Sequence, residues 1–255
     1  MKLTIGIPSF NNHAETWFTV QALRMYQDLT DTEILIVDNF GDEALKNFVT
    51  TWASSQVRYV RHEPQEGPAS AKNRVFAEAQ GEWVLCMDSH VLLAPGCIAR
   101  LRAWCDAHKD CMDLLHGYLL YDNLTSGADA MNDEWRGHMW GTWREMLTKQ
   151  EQDVYSIPMH GMGLFACRKD AWLGFNPAFR GFGGEEGYIH AKYRKAGKDV
   201  KLLPFLRWNH YFRPGAPPFP LNLNDRIQNY LIGFEELGLD PAPVHEHFNI
   251  KARTA

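Results

Sequence analysis

Long apolar runs are missing from this sequence. No stretch approaches the ~18–20 consecutive apolar residues that a membrane-spanning helix requires. The apolar part of the amino terminus, within residues 1–8, is too short for a secretory signal peptide. We therefore expect a soluble, cytoplasmic protein.

Paired cysteines and an excess of positive charge are missing as well. The chain has 5 cysteines (Cys86, Cys97, Cys105, Cys111 and Cys167), and no two of them form a C-x-x-C pair. An odd number without a disulfide framework predicts buried thiols in a reducing compartment. The 26 Lys and Arg residues against 31 Asp and Glu residues give a net charge of −5, which predicts no general affinity for polyanions.

A regular alternation of strand and helix patterns is present in the first 110 residues. Short apolar runs rich in β-branched residues alternate with segments of helical periodicity. The predicted strands are 3–8, 33–38, 57–60 and 83–87, and the predicted helices are 14–29, 43–52, 70–79 and 95–108. Because strands joined by helices in this order pair in parallel, we predict an α/β fold with a mostly parallel, Rossmann-like sheet flanked by helices.

The second half of the chain is less regular. Residues 118–150 mix aromatic, acidic and small residues, and we interpret them as a variable insertion of loops and helix. The residues that follow predict a strand over 163–167, a helix over 185–196, a short strand over 200–203 and a helix over 224–237. The four prolines in 213–220 indicate an extended or turning segment, and residues 241–255 predict a tail with little structure.

Polar residues follow three of the predicted strands. Pro8-Ser9-Phe10-Asn11 follows the first strand, Asp38 ends the second, and Asp88-Ser89-His90 follows the fourth. Ligands of open α/β sheets bind at the carboxyl ends of the strands, so these residues are expected to converge. Asp88 and His90 are two residues apart and should lie on one side of the chain, where together they can bind a divalent metal. The alternative is that both are ordinary polar loop residues.

Two later segments add further reactive side chains. The glycine-rich segment 181–184 precedes Glu185 and Glu186, and His210 stands three residues before Arg213. Glycines let the backbone approach a bound ligand closely, and Glu185 could then accept hydrogen bonds from hydroxyl groups of that ligand. The alternative for both glutamates is a charged first helical turn, which the helix dipole favours, and Glu186 fits that alternative better than Glu185 does.

Taken together, these motifs resemble the GT-A-fold nucleotide-sugar glycosyltransferases, family 2-like, and in particular the polypeptide N-acetylgalactosaminyltransferase branch with its bacterial and viral relatives. Asp88-Ser89-His90 is similar to the Asp-x-His of that branch, and His210-Tyr211-Phe212-Arg213 is similar to its His-x-x-Arg. Gly183-Gly184-Glu185 is similar to its Trp-Gly-Gly-Glu, with Phe182 in place of the Trp. Gly161-Met162-Gly163-Leu164-Phe165 is similar to its Gly-Gly-Leu-Phe donor-sugar segment, with Met162 breaking the glycine pair. The resemblance covers residues 1–213.

The resemblance implies a metal-dependent glycosyltransferase with a UDP-sugar donor and catalytic residues Asp88, Glu185 and Glu186. Its metal ligands would be Asp88, His90 and His210, a mixture of oxygen and nitrogen that suits Mn²⁺ better than Mg²⁺. A divalent cation neutralises the charge that develops on the leaving diphosphate. The histidines must be neutral to bind it, so activity should fall on acidification.

The resemblance also implies a set of donor-binding residues. The backbone of residues 8–11 would hold the base and Asp38 would accept from the N3–H of uracil, although strand-end Asp residues commonly form turns. Arg213 would neutralise phosphate charge, and Arg74 and Lys72 are weaker candidates for that role. The full expected set is Pro8, Ser9, Phe10, Asn11, Asp38, Arg74, Asp88, Ser89, Gly161, Gly163, Gly184 and Arg213. Residues 1–110 would form the nucleotide-binding half and 111–213 the donor-sugar and acceptor half, with a helical, proline-rich extension over 214–255.

The stereochemical outcome follows from the resemblance as well. The Asp-x-His branch retains the anomeric configuration, by same-face attack in which the leaving phosphate takes the acceptor proton. We therefore predict retention, with Glu185 positioning a hydroxyl rather than abstracting its proton. The alternatives are an inverting family 2 enzyme with Glu185 or Glu186 as base, a metal-dependent nucleotidyltransferase or phosphodiesterase, and a sugar-binding protein without catalysis.

The sequence does not identify the acceptor. The sequence has neither the membrane anchor nor the lectin domain usual in the secretory-pathway relatives, and this departure puts a mucin-type peptide acceptor in doubt. An enzyme of this size fits a bacterial cell or a phage-infected host. Acceptors there include a glycan, a small molecule, a protein or a hydroxymethylated base in phage DNA, and the negative net charge argues against the DNA.

Overall fold

The computed structural model describes residues 2–52, 55–64, 66–145, 153–215 and 217–250. Its first part follows the predicted alternation of strands and helices. The strands are β1 (Leu3–Ser9), β2 (Thr32–Asp38), β3 (Val57–Arg61), β4 (Trp83–Met87) and the short β5 (Val91–Leu93). The helices are α1 (His13–Tyr26), α2 (Glu43–Asn47, continued by a π-helical turn over Phe48–Trp52), α3 (Pro68–Glu78) and α4 (Cys97–Ala107). The sequence predicted all of these elements except β5.

The second part contains more β-structure than the sequence indicated. Its strands are β6 (Leu114–Leu120), β7 (Gly127–Ala128), β8 (Ala130–Arg136), β9 (Met139–Arg144), β10 (Tyr155–Ser156), β11 (Leu164–Arg168) and β12 (Val200–His210). Its helices are α5 (Glu185–Lys195), α6 (Leu223–Leu237) and α7 (Ala242–His247). Strand β12 is much longer than the predicted 200–203, and it ends at His210.

One twisted sheet organises the molecule, with the strand order β10-β12-β6-β11-β4-β1-β2-β3. Strands β4, β1, β2 and β3 are parallel neighbours, and so are β6 and β12. Strand β11 lies between these two blocks and is antiparallel to both of its neighbours. The prediction of a mostly parallel sheet with helices on both faces is confirmed, and strands of both predicted halves of the chain share this sheet.

Two hydrophobic clusters cover the two faces of the sheet. Ile5, Ile7, Ile34 and Ile36 belong to one cluster and are fully buried, whereas Leu35 and Val37 point into the other. Burying one such side chain contributes about 1.5–3 kcal/mol, so both faces of the central strands stabilise the fold. This is why β2 is a continuous apolar run rather than an alternating one.

The prediction of loops and helix over 118–150 is wrong for the described residues. Strands β8 and β9 form an antiparallel hairpin in which Trp135 pairs with Trp140, with ring centroids 4.9 Å apart. Several hairpin positions are exposed and polar, so the segment lacks the apolar run that marks a buried strand. Residues 146–150 lie outside the described part of the chain.

The prediction of little structure over 241–255 is also wrong where the structure describes the segment. Helix α7 stacks the His247 ring on Trp135 of the hairpin, with centroids 4.0 Å apart, and His247 Nε2 donates to the Gly137 carbonyl over 2.7 Å. A six-residue helix is unstable alone and depends on such tertiary contacts, so local sequence carries little signal for it. Residues 251–255 lie outside the described part.

Two further expectations concern membranes and thiols. Within the described ranges, every helix is too short or too polar to cross a membrane. All five cysteines are free, and only Cys111 is partly exposed, which confirms the prediction of buried thiols.

Candidate functional site

The carboxyl ends of β1 and β4 open into a cavity of about 890 Å³. It is lined by eleven of the residues that the sequence singled out: Pro8, Ser9, Phe10, Asp88, Ser89, His90, Gly161, Gly163, Glu186, His210 and Arg213. These residues are far apart along the chain, and the sheet brings them to one edge. Asn11, Asp38, Arg74, Gly184 and Glu185 are not part of the lining that the described residues form.

Asp88, His90 and His210 form one cluster in this cavity. Antiparallel pairing of β5 with β12 sets His210 opposite Val91, directly beside the Asp88–His90 turn. One potential ligand atom from each residue lies within 4.8 Å of the others. The two Nε2 atoms are 3.0 Å apart, and His210 Nε2 is 3.7 Å from Asp88 Oδ2. One carboxylate and two imidazoles at this spacing suit a divalent cation of intermediate softness.

Lys72 is a buried cation beside this cluster. Its Nζ lies 3.3 Å from Asp88 Oδ1 and donates to the Met162 carbonyl over 2.8 Å. Burial alone would lower the pKa of Lys72, but the Asp88 carboxylate raises it above its ordinary value. Burial likewise opposes ionisation of Asp88, yet Lys72 and the neighbouring imidazoles hold the pKa of that carboxyl well below its usual range. Asp88 is therefore ionised and ready to bind a cation at neutral pH.

Arg74 does not share this position. Its Nη2 lies 2.7 Å from a carboxylate oxygen of Glu78, one helical turn further along α3. The Arg74 side chain is 42% exposed. Lys72, the other weak candidate for neutralising charge in this helix, is the one that lines the cavity. Two residues along a helix turn the side chain by about 200°, so the two cannot both face the site.

Glu15 is a functional-site residue that sequence reasoning missed. It accepts from Asn12 Nδ2 over 2.8 Å and from Arg213 Nε over 2.8 Å, and Arg213 Nη2 also contacts its second oxygen. Arg213 Nη2 lies 3.0 Å from His90 Nδ1 as well. A glutamate in the first turn of α1 is what the helix dipole favours in any helix, so nothing in the sequence distinguished it.

The two glutamates of α5 exchange the positions expected of them. Glu185 is 4% exposed and accepts from the Gly183 backbone N–H over 2.9 Å, which closes its own loop. Glu186 is half-buried and lines the cavity, although it also belongs to the acidic first turn of α5 that the alternative described. Burial and the repulsion between the two carboxylates raise the pKa of Glu185, and burial raises the pKa of Glu186.

Asp38 is a turn former in this structure. The carboxylate is fully buried and accepts from three backbone N–H groups, of Phe40, Gly41 and Asp42, over 2.7–2.9 Å. It also accepts from the Tyr59 hydroxyl over 2.6 Å. These four bonds use the acceptor positions of a carboxylate and match the turn-forming alternative, while the contact with uracil stays a prediction.

Gly184 and Asn11 are two further predicted donor-binding residues that lie outside the lining formed by the described residues. A Cβ on Gly184 would lie 2.9 Å from Asn229 Cβ, so this glycine serves the packing of α5 on α6 rather than approach to a sugar. Asn11 is exposed with a φ of +47°, and the next residue, Asn12, reaches the cavity and donates to Ser89 Oγ over 2.8 Å.

The outer wall of the cavity is apolar and aromatic. The β8–β9 hairpin contributes Trp140 and Trp143, and the segment after β12 contributes Phe212 and Phe219. Phe219 packs on Phe182 with ring centroids 5.2 Å apart. The sequence signal for this wall is the density of tryptophan in 135–143, within the segment predicted to be a variable insertion of loops and helix.

A second histidine cluster lies buried behind the cavity. His116, His160 and His190 are all fully buried, and His116 Nε2 is 2.9 Å from His190 Nε2. His160 stacks on His116, with centroids 5.1 Å apart, and directly precedes Gly161 of the cavity wall. Burial lowers the pKa of His160 to about 4 and that of His190 to about 3. These rings are therefore neutral core residues that support the wall.

The neutral histidines predict a loss of stability on acidification. Between pH 6.5 and about 4, these histidines bind protons in the unfolded chain but stay neutral in the folded protein. The free energy of unfolding should therefore fall as pH falls through this window. His160→Phe should be less stable than the parent at pH 7, and the gap should shrink by on the order of 2–3 kcal/mol towards pH 4. Urea unfolding at several pH values measures this gap. His108→Phe, at an exposed ring, is the matched control for the loss of an imidazole.

The chain is similar to known proteins in sequence and in structure. The family model described as Glycosyl transferase family 2 matches residues 4–170. N-acetylgalactosaminyltransferase 7 of Drosophila melanogaster is 24% identical in an alignment over 212 residues, and the match covers 72% of this chain and 34% of the relative.

Solved structures share the fold. GalNAc-T7, solved with UDP, GalNAc and Mn2+, superposes with a TM-score of 0.73 and 19% identity, over 92% of this chain and 48% of the other. S. aureus TarS 1–349 in complex with UDP-GlcNAc gives a TM-score of 0.64 and 16% identity, over 97% of this chain and 70% of the other. These matches confirm the predicted GT-A fold, although the chain spans only 34–48% of the length of the two GalNAc-transferase relatives.

Proposed function

This chain belongs to glycosyltransferase family 2, and we propose that it transfers a sugar from a UDP-sugar to a hydroxyl acceptor with Mn²⁺ or another divalent cation as cofactor. The observation that carries the proposal is the cluster of Asp88, His90 and His210 inside a cavity that is large enough for a nucleotide-sugar. The solved structure of GalNAc-T7 contains UDP, GalNAc and Mn2+, which supports this choice of donor and metal.

The residues of the site suit this chemistry. Asp88, His90 and His210 would hold the cation, which when bound supplies neutralisation of the leaving diphosphate. Lys72 keeps Asp88 ionised, and Arg213 offers a guanidinium that matches phosphate oxygens. We propose that the strand ends around Ser9 and Ser89 bind the nucleotide, in keeping with a nucleotide-binding half over 1–110.

The acceptor would enter against the aromatic wall. Trp140, Trp143, Phe182, Phe212 and Phe219 offer flat apolar surfaces, which suit a glycan or a peptide. DNA recognition depends on many Lys and Arg contacts to phosphates, and the chain has a net charge of −5. We therefore propose a glycan or protein acceptor ahead of hydroxymethylated DNA.

A donor screen tests the proposed function. The protein should release UDP from one or more UDP-sugars when Mn²⁺ is present and not after EDTA treatment, and an acceptor panel of glycans, peptides, small molecules and hydroxymethylated DNA should then yield a glycoside. Release of sugar-1-phosphate or nucleoside monophosphate without a glycoside would instead identify a phosphodiesterase or nucleotidyltransferase. Mn²⁺-dependent binding of UDP with no turnover on any acceptor would identify a binding protein.

We further propose retention of the anomeric configuration, which the Asp-x-His motif supports. An α-linked UDP-sugar should give an α-linked product, and NMR of the anomeric proton measures this directly. Glu186→Gln should then cost less than about 10²-fold in kcat, because general-base catalysis, which the variant removes, contributes about 10²–10⁴-fold only where it operates. Glu43→Gln, at an exposed glutamate in the first turn of α2, is the control.

The inverting alternative has one observation in its favour. Glu186 faces the cavity, and its raised pKa lies closer to the working pH of a general base than that of an ordinary glutamate. A β-linked product together with a loss above 10²-fold in Glu186→Gln would assign this residue as the base and refute retention.

A further inference from the structure

The two ring nitrogens of His90 face two different groups of residues. Nε2 lies 3.0 Å from His210 Nε2, on the side of Asp88. Nδ1 lies 3.0 Å from Arg213 Nη2 and 3.5 Å from Glu15 Oε2. The two residues behind the ring also bind each other, through Arg213 Nε and Glu15 Oε1 at 2.8 Å.

These two neighbours demand different tautomers of His90. A guanidinium is only a donor, so the contact from Arg213 requires Nδ1 to accept, and the ring hydrogen of a neutral imidazole is then on Nε2. A carboxylate is only an acceptor, so a hydrogen bond to Glu15 requires the hydrogen on Nδ1 and leaves Nε2 with a free lone pair. Only the second tautomer can bind a cation through Nε2, the nitrogen that faces Asp88 and His210.

Histidines that bind metals commonly donate their other ring N–H to a carboxylate, which sets the tautomer and the ring orientation. Glu15 occupies the place for that acceptor. The Glu15 carboxylate is held in place because Asn12 Nδ2 donates to it over 2.8 Å. Asn12 also donates to Ser89, the residue before His90. Thr19 of the same helix donates to the Ser89 carbonyl over 3.0 Å, so α1 and the metal loop are joined at several points.

We propose that Glu15 is a positioning residue for the metal site and that Arg213 competes with it for His90 Nδ1. With Arg213 on Nδ1, His90 holds its hydrogen on Nε2 and the cluster binds cations poorly. When Arg213 turns away, the ring hydrogen passes through solvent from Nε2 to Nδ1, with no net change in protonation, and Glu15 accepts it.

The Arg213 side chain can turn into the cavity, because it lines the space in which we propose that the diphosphate binds. A nucleotide that draws the guanidinium onto its phosphates would release His90 to Glu15. Nucleotide and metal should therefore strengthen each other's binding through the protein, in addition to any direct contact between them. This inference rests on the proposed function, since it assumes that the cluster holds a metal.

The test is Mn²⁺ affinity of the nucleotide-free full chain, measured by EPR of free Mn²⁺ and by calorimetry. Glu15→Gln should weaken Mn²⁺ binding by about 10- to 100-fold, the usual effect of removing the partner of a ligating histidine. Arg213→Met should do the reverse and tighten Mn²⁺ binding, because it removes the competitor. Glu43→Gln, the same change in the first turn of α2, should leave the affinity within twofold.

The opposite signs distinguish positioning from general damage to the site. If Arg213→Met weakens Mn²⁺ binding or leaves it unchanged, or if Glu15→Gln binds Mn²⁺ as the parent does, the inference is refuted. If Glu15→Gln fails to fold in a thermal-unfolding check, the Mn²⁺ affinity of Arg213→Met alone tests the inference. A parent protein that binds no Mn²⁺ with or without UDP would refute the proposed function itself, which is a separate outcome.

Discussion

Replacing Asp88 by Asn should lower the rate of UDP release from a UDP-sugar by about 10³-fold or more at saturating Mn²⁺. Asp88 is the only carboxylate of the Asp88–His90–His210 cluster, so its loss removes the hard, charged ligand of the site. Metal neutralisation of a leaving group is worth several kcal/mol, and each 1.36 kcal/mol corresponds to about tenfold in rate. A coupled UDP-release assay over a range of Mn²⁺ concentrations measures the effect.

The matched control is Asp106→Asn, at an exposed carboxylate that pairs with Lys2 over 3.0 Å. It should retain the parent rate within about twofold. A circular dichroism spectrum of Asp88→Asn identical to that of the parent would show that the fold persists. Turnover of Asp88→Asn close to the parent value, with the same Mn²⁺ dependence, would remove Asp88 from the metal site.

Lys72→Met should destabilise the protein by about 3 kcal/mol at pH 7 and also reduce activity. The change leaves the Asp88 carboxylate without its cation and the Met162 carbonyl without its donor. Removing one partner of a buried ion pair costs about 3–5 kcal/mol, and the 26% exposure of the Asp88 side chain puts this pair at the lower end. Methionine keeps the length and the apolar stem of the lysine, so little packing is lost. Denaturant unfolding gives the free energy.

A double-mutant cycle separates the charge effect from packing. Adding Asp88→Asn to Lys72→Met should restore part of the lost stability, because the uncompensated charge is then gone. Lys46→Met, at an exposed pair with Glu43, should change stability by no more than about 0.5 kcal/mol. Strict additivity of the two changes at positions 72 and 88 would contradict the proposed coupling.

The main features of the fold were predictable because they are local. Alternating β-rich and helical periodicities located the first four main strands and the helices between them, and each pattern needs only the side chains of its own segment. The β8–β9 hairpin and α7 were not predictable in this way. They are held by contacts such as Trp135 on Trp140 and His247 on Trp135, which join residues that no periodicity links.

The same distinction between local and tertiary information applies to the candidate site. Asp88 and His90 are close together because they are two residues apart in the turn between β4 and β5, and the motif resemblance pointed to His210 as their partner. Asp38 binds the backbone of its own turn at the end of β2. Lys72 rather than Arg74, and Glu186 rather than Glu185, faces the cavity because of how α3 and α5 are rotated against the sheet. Packing of whole apolar faces sets that rotation, and a single charged side chain has little influence on it.

The sequence by itself determined the family, the mostly parallel sheet and the types of side-chain atom in the Asp88–His90–His210 cluster, since motifs and periodicities lie within short segments. Only the tertiary structure decided which partner each of those atoms meets. Glu15, His90 and Arg213 come together because α1 packs beside β5 while β12 pairs with β5. Such contacts join residues 75 to 198 positions apart, and the free energy that holds them comes from burial of the intervening core rather than from the residues themselves.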